Sequence, residues 1–349
     1  MTATDPMVRV CPRCGSAAGA EDHCTGCGLH LAALAELPTF DEWRARAARP
    51  ASLKPLLHPT ETSRLVLATI AALAPPLIVI VAVIAGGALI ELVGLAAAVA
   101  FFAGSIWVGL QIARARMLGQ TVKVDATSMP ELNALLEDVR DTLDYHDRVD
   151  VYVADKGSAP IVTTSYLGTR IIVLEGGLVA ELMEPPKRAQ LTFLCGRAIG
   201  ALRAKHMRLD LLVVLLNAFN VLRYPSIFIV PWYRATTYSG DQIGMMCCAD
   251  PEAALEATRR LLVGKEIAAQ MGLADVLPQV DLVQRRRLPR LAQLFLAEPH
   301  TTNRYANLLC FARYHDPVAW ERLHDSVDAD AARLLDAVWA RSPYRHRAA

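Results

Sequence analysis

Residues 65–113 form a run of 49 positions in which Glu91 is the single charged side chain. One helical crossing of a bilayer needs about 20 apolar residues, so the run is too long for one span and has the length for two. We predict a two-helix transmembrane hairpin over 65–113, with spans at 66–86 and 91–112 and a turn at the glycine pair 86–87. The alternative is a helical hairpin buried in the core of a soluble domain.

Basic residues flank both outer ends of this hairpin, and the short turn between the spans has none. The positive-inside rule places such flanks in the cytoplasm. We therefore predict a protein of the bacterial inner (cytoplasmic) membrane, with the lipid bilayer as a partner and with both termini and the large domain facing the cytoplasm. The flanking residues are Arg44, Arg46, Arg49, Lys54 and Arg64 before the hairpin and Arg114, Arg116 and Lys123 after it.

Four of the eight cysteines stand near the N-terminus as two Cys-x-x-Cys pairs, Cys11/Cys14 and Cys24/Cys27. Glycine follows each pair and lets the backbone curl so that its amides face the sulfurs. Zinc takes four such thiolates in a tetrahedron, so we predict a four-cysteine zinc ribbon over 9–31, with structural zinc as the only cofactor. It resembles the short ribbons at the N-termini of many bacterial membrane and regulatory proteins. The alternative is four free or redox-active thiols. His23 and His30 lie beside the cysteines and are predicted to be surface residues.

Residues 32–64 are predicted to be a linker, because proline, arginine and glutamate are frequent there. A short helix near Phe40 precedes the tether in this interpretation. The formal net charge of the chain is +1. Bulk electrostatics therefore gives no reason to expect a nucleic-acid partner.

Residues 120–325 are predicted to form the large domain, followed by a C-terminal helix and tail at 326–349. Apolar residues at helical spacing predict helices at 129–143, 187–208, 251–270 and 288–296. Short runs rich in β-branched residues predict strands at 149–153, 161–164 and 170–174. The predicted fold class is α+β, a mostly helical domain with a small sheet.

The order of these elements resembles that of a known family. The segments concerned are Val151-Tyr152-Val153, Ile171-Ile172-Val173-Leu174, Gly177-Leu178, the helix from Lys187 and the later run TTYSGDQIGMMCCADPEAALEATRRL. Over roughly residues 60–315 the chain resembles the membrane zinc metallopeptidases of the HtpX and CAAX-prenyl-protease kind. The resemblance implies a gluzincin-like domain, in which one helix carries H-E-x-x-H and a later segment supplies a glutamate as the third zinc ligand. A late family element, H-P-x-x-x-x-R, has a loose counterpart in Pro299-His300 and Arg304.

The residues that this chemistry requires are missing from the corresponding positions. The resemblance places Arg197 at the first zinc histidine, Ala198 at the general-base glutamate and Ala201 at the second histidine, and it places Thr237 at the third ligand. Arg197 also brings a positive charge that would oppose a divalent cation. We therefore predict no zinc and no metal-dependent peptidase activity in this domain. Asp241 is predicted to pair with Arg197 and to offset the cost of burying its guanidinium.

Other candidate catalytic residues have simpler interpretations. Cys195 and His206 lie eleven residues apart, about 16 Å along a helix, which is too far for a Cys–His dyad. Cys247 and Cys248 stand among small apolar residues and are predicted to pack in the core. His206 is predicted to be a surface or capping residue at the end of the helix.

Two segments have an environment that the sequence leaves open. Residues 207–233 are apolar but are divided into pieces of roughly ten residues, too short to cross a bilayer. We predict helices on the membrane face, with Trp232 and Tyr233 at the interface, and the alternative is the core of the soluble domain. The basic run 285–287, with Arg290 nearby, is predicted to be a solvated face, and contact with anionic headgroups is the alternative.

Three functions agree with these patterns. The favoured hypothesis is a pseudopeptidase, a membrane-anchored binding, scaffold or regulatory protein whose remnant cleft holds a protein or peptide partner without cutting it. Its basis is that four catalytic positions are replaced together. The second hypothesis is an active membrane-bound zinc metalloendopeptidase. The third is an unrelated membrane-associated helical interaction module, because likeness of fold does not settle function.

Overall fold

The computed structural model describes residues 9–10, 17–18, 40, 53–86, 89–155, 160–166, 169–210, 212–213 and 226–347. Helices dominate, and we number them in chain order as α1 (Glu61–Ala85), α2 (Leu89–Gln120), α3 (Pro130–Thr142), α4 (Gly176–Leu182), α5 (Arg188–Arg203), α6 (Ser226–Cys248), α7 (Pro251–Val263), α8 (Lys265–Ala268), α9 (Leu277–Arg285), α10 (Arg287–Ala292), α11 (Thr301–His315), α12 (Pro317–Asp325), α13 (Ala329–Ala340) and α14 (Tyr344–Arg347). Short turns of 3-10 helix occupy Lys54–Leu56, Ala274–Val276 and Gln293–Phe295. The strands are β1 (Arg9–Val10), β2 (Ala17–Ala18), β3 (Val122–Lys123), β4 (Asp150–Ala154), β5 (Ile161–Tyr166) and β6 (Thr169–Glu175).

Helices α1 and α2 correspond to the predicted hairpin, and both are long and apolar enough to cross a membrane. The qualifying segments are Glu61–Ala85, with 25 residues, and Val93–Gln120, with 28 residues. In the most apolar stretch of 18 residues in α1, only 11% is buried within the protein. In the corresponding stretch of α2, none is buried. A helix in the core of a soluble domain shows the opposite pattern, since its apolar face is covered.

The small sheet is mixed, with the strand order β3-β4-β6-β5. Strand β4 runs parallel to β6, with Val151 opposite Ile172, while β3 and β5 are antiparallel to their neighbours. Strands β4, β5 and β6 confirm the three predicted strands. Strand β3 was not predicted because two residues carry no periodic pattern. Strand β5 lies at one edge, so one side of its backbone is not paired within this sheet.

Three helices are shorter than the sequence predicts, and the one predicted at 288–296 ends as α10 at Ala292 and continues as a 3-10 turn at Gln293–Phe295. The pattern predicted a helix up to residue 208, but α5 ends at Arg203 because Lys205 adopts a left-handed backbone with φ of 57°. The N–H of His206 then donates to the carbonyl of Ala201 at 3.0 Å and closes the turn. The predicted helix at 251–270 is divided into α7 and α8 at Gly264, whose φ of 82° suits glycine.

Helices α5 and α6 form the centre of the large domain and approach each other closely. A Cβ added at Gly200 would lie 2.4 Å from Cγ2 of Ile243, and one added at Gly244 would lie 2.5 Å from the carbonyl oxygen of Phe193. Gly196 contacts Cys247 in the same way, which agrees with the predicted packing role of this cysteine. The absence of side chains at these three glycines therefore fixes the distance between the two helices.

The core extends beyond the predicted limits of the large domain. Phe40 and Leu56, from the predicted linker, are 1% exposed and pack in the same cluster as α5 and α6. The N–H of Phe40 donates to Oδ2 of Asp316 at 3.1 Å. Leu335 and Tyr344, from the predicted C-terminal helix and tail, belong to this cluster as well. Segments on both sides of the large domain thus complete its core.

Candidate functional site

One cavity of about 220 Å³ contains all four positions that the resemblance assigns to catalysis. Arg197, Ala198 and Ala201 reach it from α5, and Thr237 reaches it from α6. Arg197 and Ala201 lie four residues apart, which places them on one face of α5, one turn from each other. Further walls come from β5, the turn after α5, α6 and the segment before α11, through Ile161, Thr163, His206, Asp210, Tyr233 and Glu298.

A buried carboxylate holds Arg197 in this cavity. Nε of Arg197 lies 3.0 Å from Oδ1 of Asp241, which is one turn beyond Thr237 on α6. Arg304 of α11 donates to the same carboxylate twice, from Nε to Oδ2 and from Nη2 to Oδ1, each at 2.8 Å. Asp241 is fully buried, whereas 25% of the Arg197 side chain is exposed. The predicted pair of Arg197 and Asp241 is confirmed, and Arg304 is a second cation on the same carboxylate.

Burial and charge act against each other in this cluster. Burial, together with the neighbouring cation Arg304, lowers the pKa of Arg197 to about 10, against the attraction of Asp241. Burial also opposes the charge of Arg304, but the attraction and hydrogen bonds of Asp241 outweigh it and raise the pKa of Arg304. Glu298 attracts both guanidiniums. Both arginines therefore remain cations at neutral pH.

The residues at the four positions do not fit a catalytic zinc. Such a site needs three protein ligands, an open position for water and a general base. Ala198 and Ala201 offer no ligand atom, and the hydroxyl of Thr237 donates to the carbonyl of Tyr233 at 3.1 Å. Within the part of the chain that the structure describes, no group of three or more His, Cys, Asp or Glu side chains is arranged to hold a metal.

His206 belongs to a polar cluster that joins the cavity wall to the start of α1. Its Nε2 lies 3.3 Å from Oε1 of Glu61, and the hydroxyl of Ser239 donates to the other oxygen of Glu61. The N–H of His58 donates to Oγ of Ser239 at 2.8 Å. His206 is 4% exposed, so the prediction of a surface or capping residue is wrong. The early end of α5 is the reason, because the turn after Arg203 directs His206 inward.

The buried hydroxyl and thiol near the cavity lack the arrangement that activates a nucleophile. In a serine hydrolase the histidine lies between serine and carboxylate, whereas Glu61 here lies between Ser239 and His206. Cys195 is buried, and this burial raises the pKa of its thiol to about 12. A thiol of that pKa is almost entirely protonated at neutral pH and is a poor nucleophile.

The cavity nevertheless carries charges of both signs next to apolar surface. Asp210 accepts a hydrogen bond from the hydroxyl of Tyr233 at 2.8 Å. Burial raises the pKa of Asp210, and this hydrogen bond offsets part of the effect. Asp210, Glu298 and the accessible part of Arg197 thus stand beside Ile161 and Leu194 in one cleft. Such a mixture suits a polar main chain with mixed side chains better than a purely apolar ligand.

The predicted zinc ligands Cys11, Cys14, Cys24 and Cys27 lie outside the described residues, as does the glycine at 87 of the predicted turn. Within the segment 9–31, where the ribbon is predicted, the structure describes the antiparallel pair of β1 and β2, with Val10 opposite Ala17. In the sequence, Cys11 and Cys14 fall between these two strands.

The four positions taken from the resemblance line one cavity, but two contacts near it were not predicted from the sequence. Arg304 entered only as a loose counterpart of a family element, and its 63-residue separation from Asp241 gave no signal of contact. The contact between Glu61 and His206 could not be found either, since it depends on where α5 ends. Trp232, predicted at the membrane interface, is instead fully buried against α1, in a cluster with Ala68 and Ala72.

Comparison with known proteins gave no match to a protein-family model, to a curated protein or to a solved structure.

Proposed function

We propose that this chain is a membrane-anchored pseudopeptidase of HtpX-like ancestry, which binds a peptide segment in its cleft and does not hydrolyse it. The observation that carries the proposal is the convergence of Arg197, Ala198, Ala201 and Thr237 on one cavity. These positions were chosen by resemblance alone, and they come from two helices separated along the chain. Arg197, Ala198 and Ala201 are neighbours on α5 under any alignment, so the independent support is that Thr237 of α6 lines the same cleft.

The chemistry of the cleft supports binding without hydrolysis. Zinc peptidases cut because a metal-bound water is deprotonated by a carboxylate beside the metal. Here Ala198 replaces that carboxylate, and Arg197 is fixed by Asp241 where the first ligand would stand. A guanidinium in this position repels a divalent cation and offers hydrogen-bond donors to a carbonyl or a carboxylate.

Strand β5 supports a peptide as the ligand. Among the described residues it pairs with β6 on one side only, so its other edge can accept an extended peptide as a further strand. Ile161 and Thr163 of β5 both line the cavity. Side chains two residues apart lie on one face of a strand, so a peptide added to β5 would run along the cleft.

The remaining parts of the proposal are the membrane topology and the ribbon. The two long apolar helices agree with a membrane anchor. The basic flanks favour the inner membrane, with both termini and the large domain in the cytoplasm. A reducing compartment also suits a four-cysteine zinc ribbon, in which zinc stabilises the fold and takes no part in catalysis.

A pooled library of random dodecapeptides, incubated with the full chain in detergent, tests the proposal. Ala201→Trp should abolish peptide enrichment, because an indole fills much of the cavity. Ala332→Trp, at a similarly half-buried position on α13, should leave enrichment unchanged. Mass spectrometry should recover every bound peptide intact after incubation with zinc.

Two results would overturn the proposal in different ways. Equal enrichment by the wild type and Ala201→Trp would mean that the cavity does not bind peptides. Cleavage that a chelator stops would identify an active metallopeptidase and would require a metal site other than the one inferred from the resemblance.

A further inference from the structure

Residues 285–296 present an unusual surface, in which large apolar side chains are exposed among arginines. Leu288 is 79% exposed and Phe295 is 77% exposed, and Leu291, Leu294 and Leu296 are exposed as well. Arg286, Arg287 and Arg290 stand exposed between them, with no carboxylate of the described chain in ion-pair distance. We call this set the basic-apolar segment. Exposed apolar patches of this kind usually mark a binding surface.

Hydrogen bonds fix the position of this segment relative to α1. Arg234 of α6 donates from Nη1 to the carbonyls of Gln293 and Leu296, at 2.6 and 3.1 Å. One turn earlier on α6, the carbonyl of Pro231 accepts a hydrogen bond from Arg64 of α1 at 3.2 Å. Arg64 is the last charged residue before the apolar run. The basic-apolar segment therefore lies at the level where α1 would enter the membrane.

We propose that the basic-apolar segment docks on the bilayer that holds α1 and α2, inserting Leu288 and Phe295 among anionic lipids. The inference rests on the membrane anchor in the proposed function and is independent of peptide binding. Arginines beside inserted leucine and phenylalanine are the composition that binds anionic lipid surfaces, since the apolar groups leave water while the guanidiniums meet headgroup phosphates.

The start of α6 extends the same surface. Ile227 and Phe228, in the first turn of α6, are exposed, whereas Ile229 and Trp232, further along the helix, are buried in a cluster with Ala68 and Ala72 of α1. Helix α6 thus covers the first turns of α1 from Ile229 onward, and its first turn leaves the apolar side chains of Ile227 and Phe228 uncovered beside this contact. The bilayer is the partner that would cover these two side chains together with the basic-apolar segment, because in the proposed topology it surrounds α1 at this height.

Lipid photo-crosslinking on the full chain tests this docking. Benzoylphenylalanine replaces Phe295 in one preparation, and in two others it replaces Ile78 of α1 or the exposed Glu252. Glu252 lies in the first turn of α7, which follows the end of α6 that is away from Arg64. The chain is reconstituted in vesicles of phosphatidylcholine with one quarter phosphatidylglycerol. Lipid adducts should form at positions 295 and 78 and should be at least several-fold weaker at 252. Replacing Arg286, Arg287 and Arg290 by glutamine should reduce the adduct at 295 by about threefold or more, because each arginine contributes to headgroup attraction.

The positions separate the possible failures. One failure would be lipid adducts at position 78 together with an adduct yield at position 295 no higher than at position 252. This result would overturn the docking but would still support the membrane anchor. Absence of adducts at both 78 and 295 would remove the anchor and the docking together, while peptide binding in the cleft would remain testable. An adduct at 295 that the arginine replacements do not change would overturn the role of anionic headgroups.

Discussion

At the scale of single residues, Asp241 holds two arginines in place at the cleft. Two guanidiniums share this fully buried carboxylate, and Arg304 uses two of its donors on it. A buried charge without a partner costs far more than the paired cluster does, because desolvation is then uncompensated. The same contact that holds Arg197 in the cavity therefore also stabilises the domain.

Asp241→Asn should destabilise the folded chain by about 3–5 kcal/mol, since it leaves the buried guanidinium of Arg304 and the partly buried one of Arg197 without their carboxylate. A lowered midpoint of thermal unfolding in detergent measures this effect. Asp210→Asn is the matched control, because it removes a carboxylate from the same cavity that has no guanidinium on it. Equal losses for the two variants would show that the Arg–Asp–Arg cluster has no special role in stability.

The pH dependence of stability should distinguish Asp210 from its amide variant. Burial raises the pKa of Asp210 in the folded state above its usual value of 3.8. Its protonated form therefore favours folding below that value, and this contribution is lost as the pH rises through the folded-state pKa. We expect Asp210→Asn to unfold at a temperature equal to or above that of the wild type at pH 7. The difference should shrink as the pH falls towards 4, and a difference that grows on acidification would contradict the assignment.

At the scale of elements, the close packing of α5 on α6 positions the cavity. Gly200→Ala should destabilise the domain by about 1–3 kcal/mol, because its Cβ would overlap Ile243 in a filled core. Gly177→Ala, on α4, meets only the side chain of Glu175 at 4.0 Å and should be neutral or slightly stabilising. Thermal unfolding of both variants checks the contrast. A neutral Gly200→Ala would mean that the helices can move apart without cost.

The elements also show what a sequence can and cannot predict. The hairpin and strands β4–β6 were predictable because missing charge and β-branched runs are local signals. The pair of Arg197 and Asp241 was predictable only once a resemblance had placed both residues in one site. The end of α5 could not be predicted, since it depends on the left-handed backbone of a single residue, Lys205. The contacts of His206 depend on that turn, so they could not be predicted either.

At the scale of the whole molecule, α1 is both a candidate membrane helix and part of the large domain. Its first turns pack on α6 through Ala68 and Ala72. Glu61 contacts His206 in the wall of the cavity. Movement of α1 in the bilayer would therefore reach the cleft directly, without a flexible connection between them. This arrangement suits a protein that presents a cleft at a fixed height above a membrane.

Metal content per chain tests the predicted ribbon. The purified chain should contain one zinc, since a site of four cysteines binds a single ion. Changing Cys11 and Cys14 to serine should remove it, and elemental analysis of both proteins gives the answer. Zinc retained in the double variant would mean that the metal lies elsewhere and that the alignment of the cleft is wrong.

Restoring the missing residues tests the alignment itself. A variant with Arg197→His, Ala198→Glu, Ala201→His and Thr237→Glu recreates H-E-x-x-H on α5 and a facing carboxylate on α6. If the four positions are the remnant of a zinc site, this chain should bind a second zinc in addition to that of the ribbon, because three ligands then converge on one cavity. The loss of Arg197 leaves Asp241 paired with Arg304, so the fold should survive, and thermal unfolding checks this. A matched variant with Thr237 unchanged provides only two ligands and should bind the second zinc much more weakly. A folded quadruple variant with no additional zinc would mean that the four positions do not descend from a metal site, and the unrelated interaction module would become the better explanation.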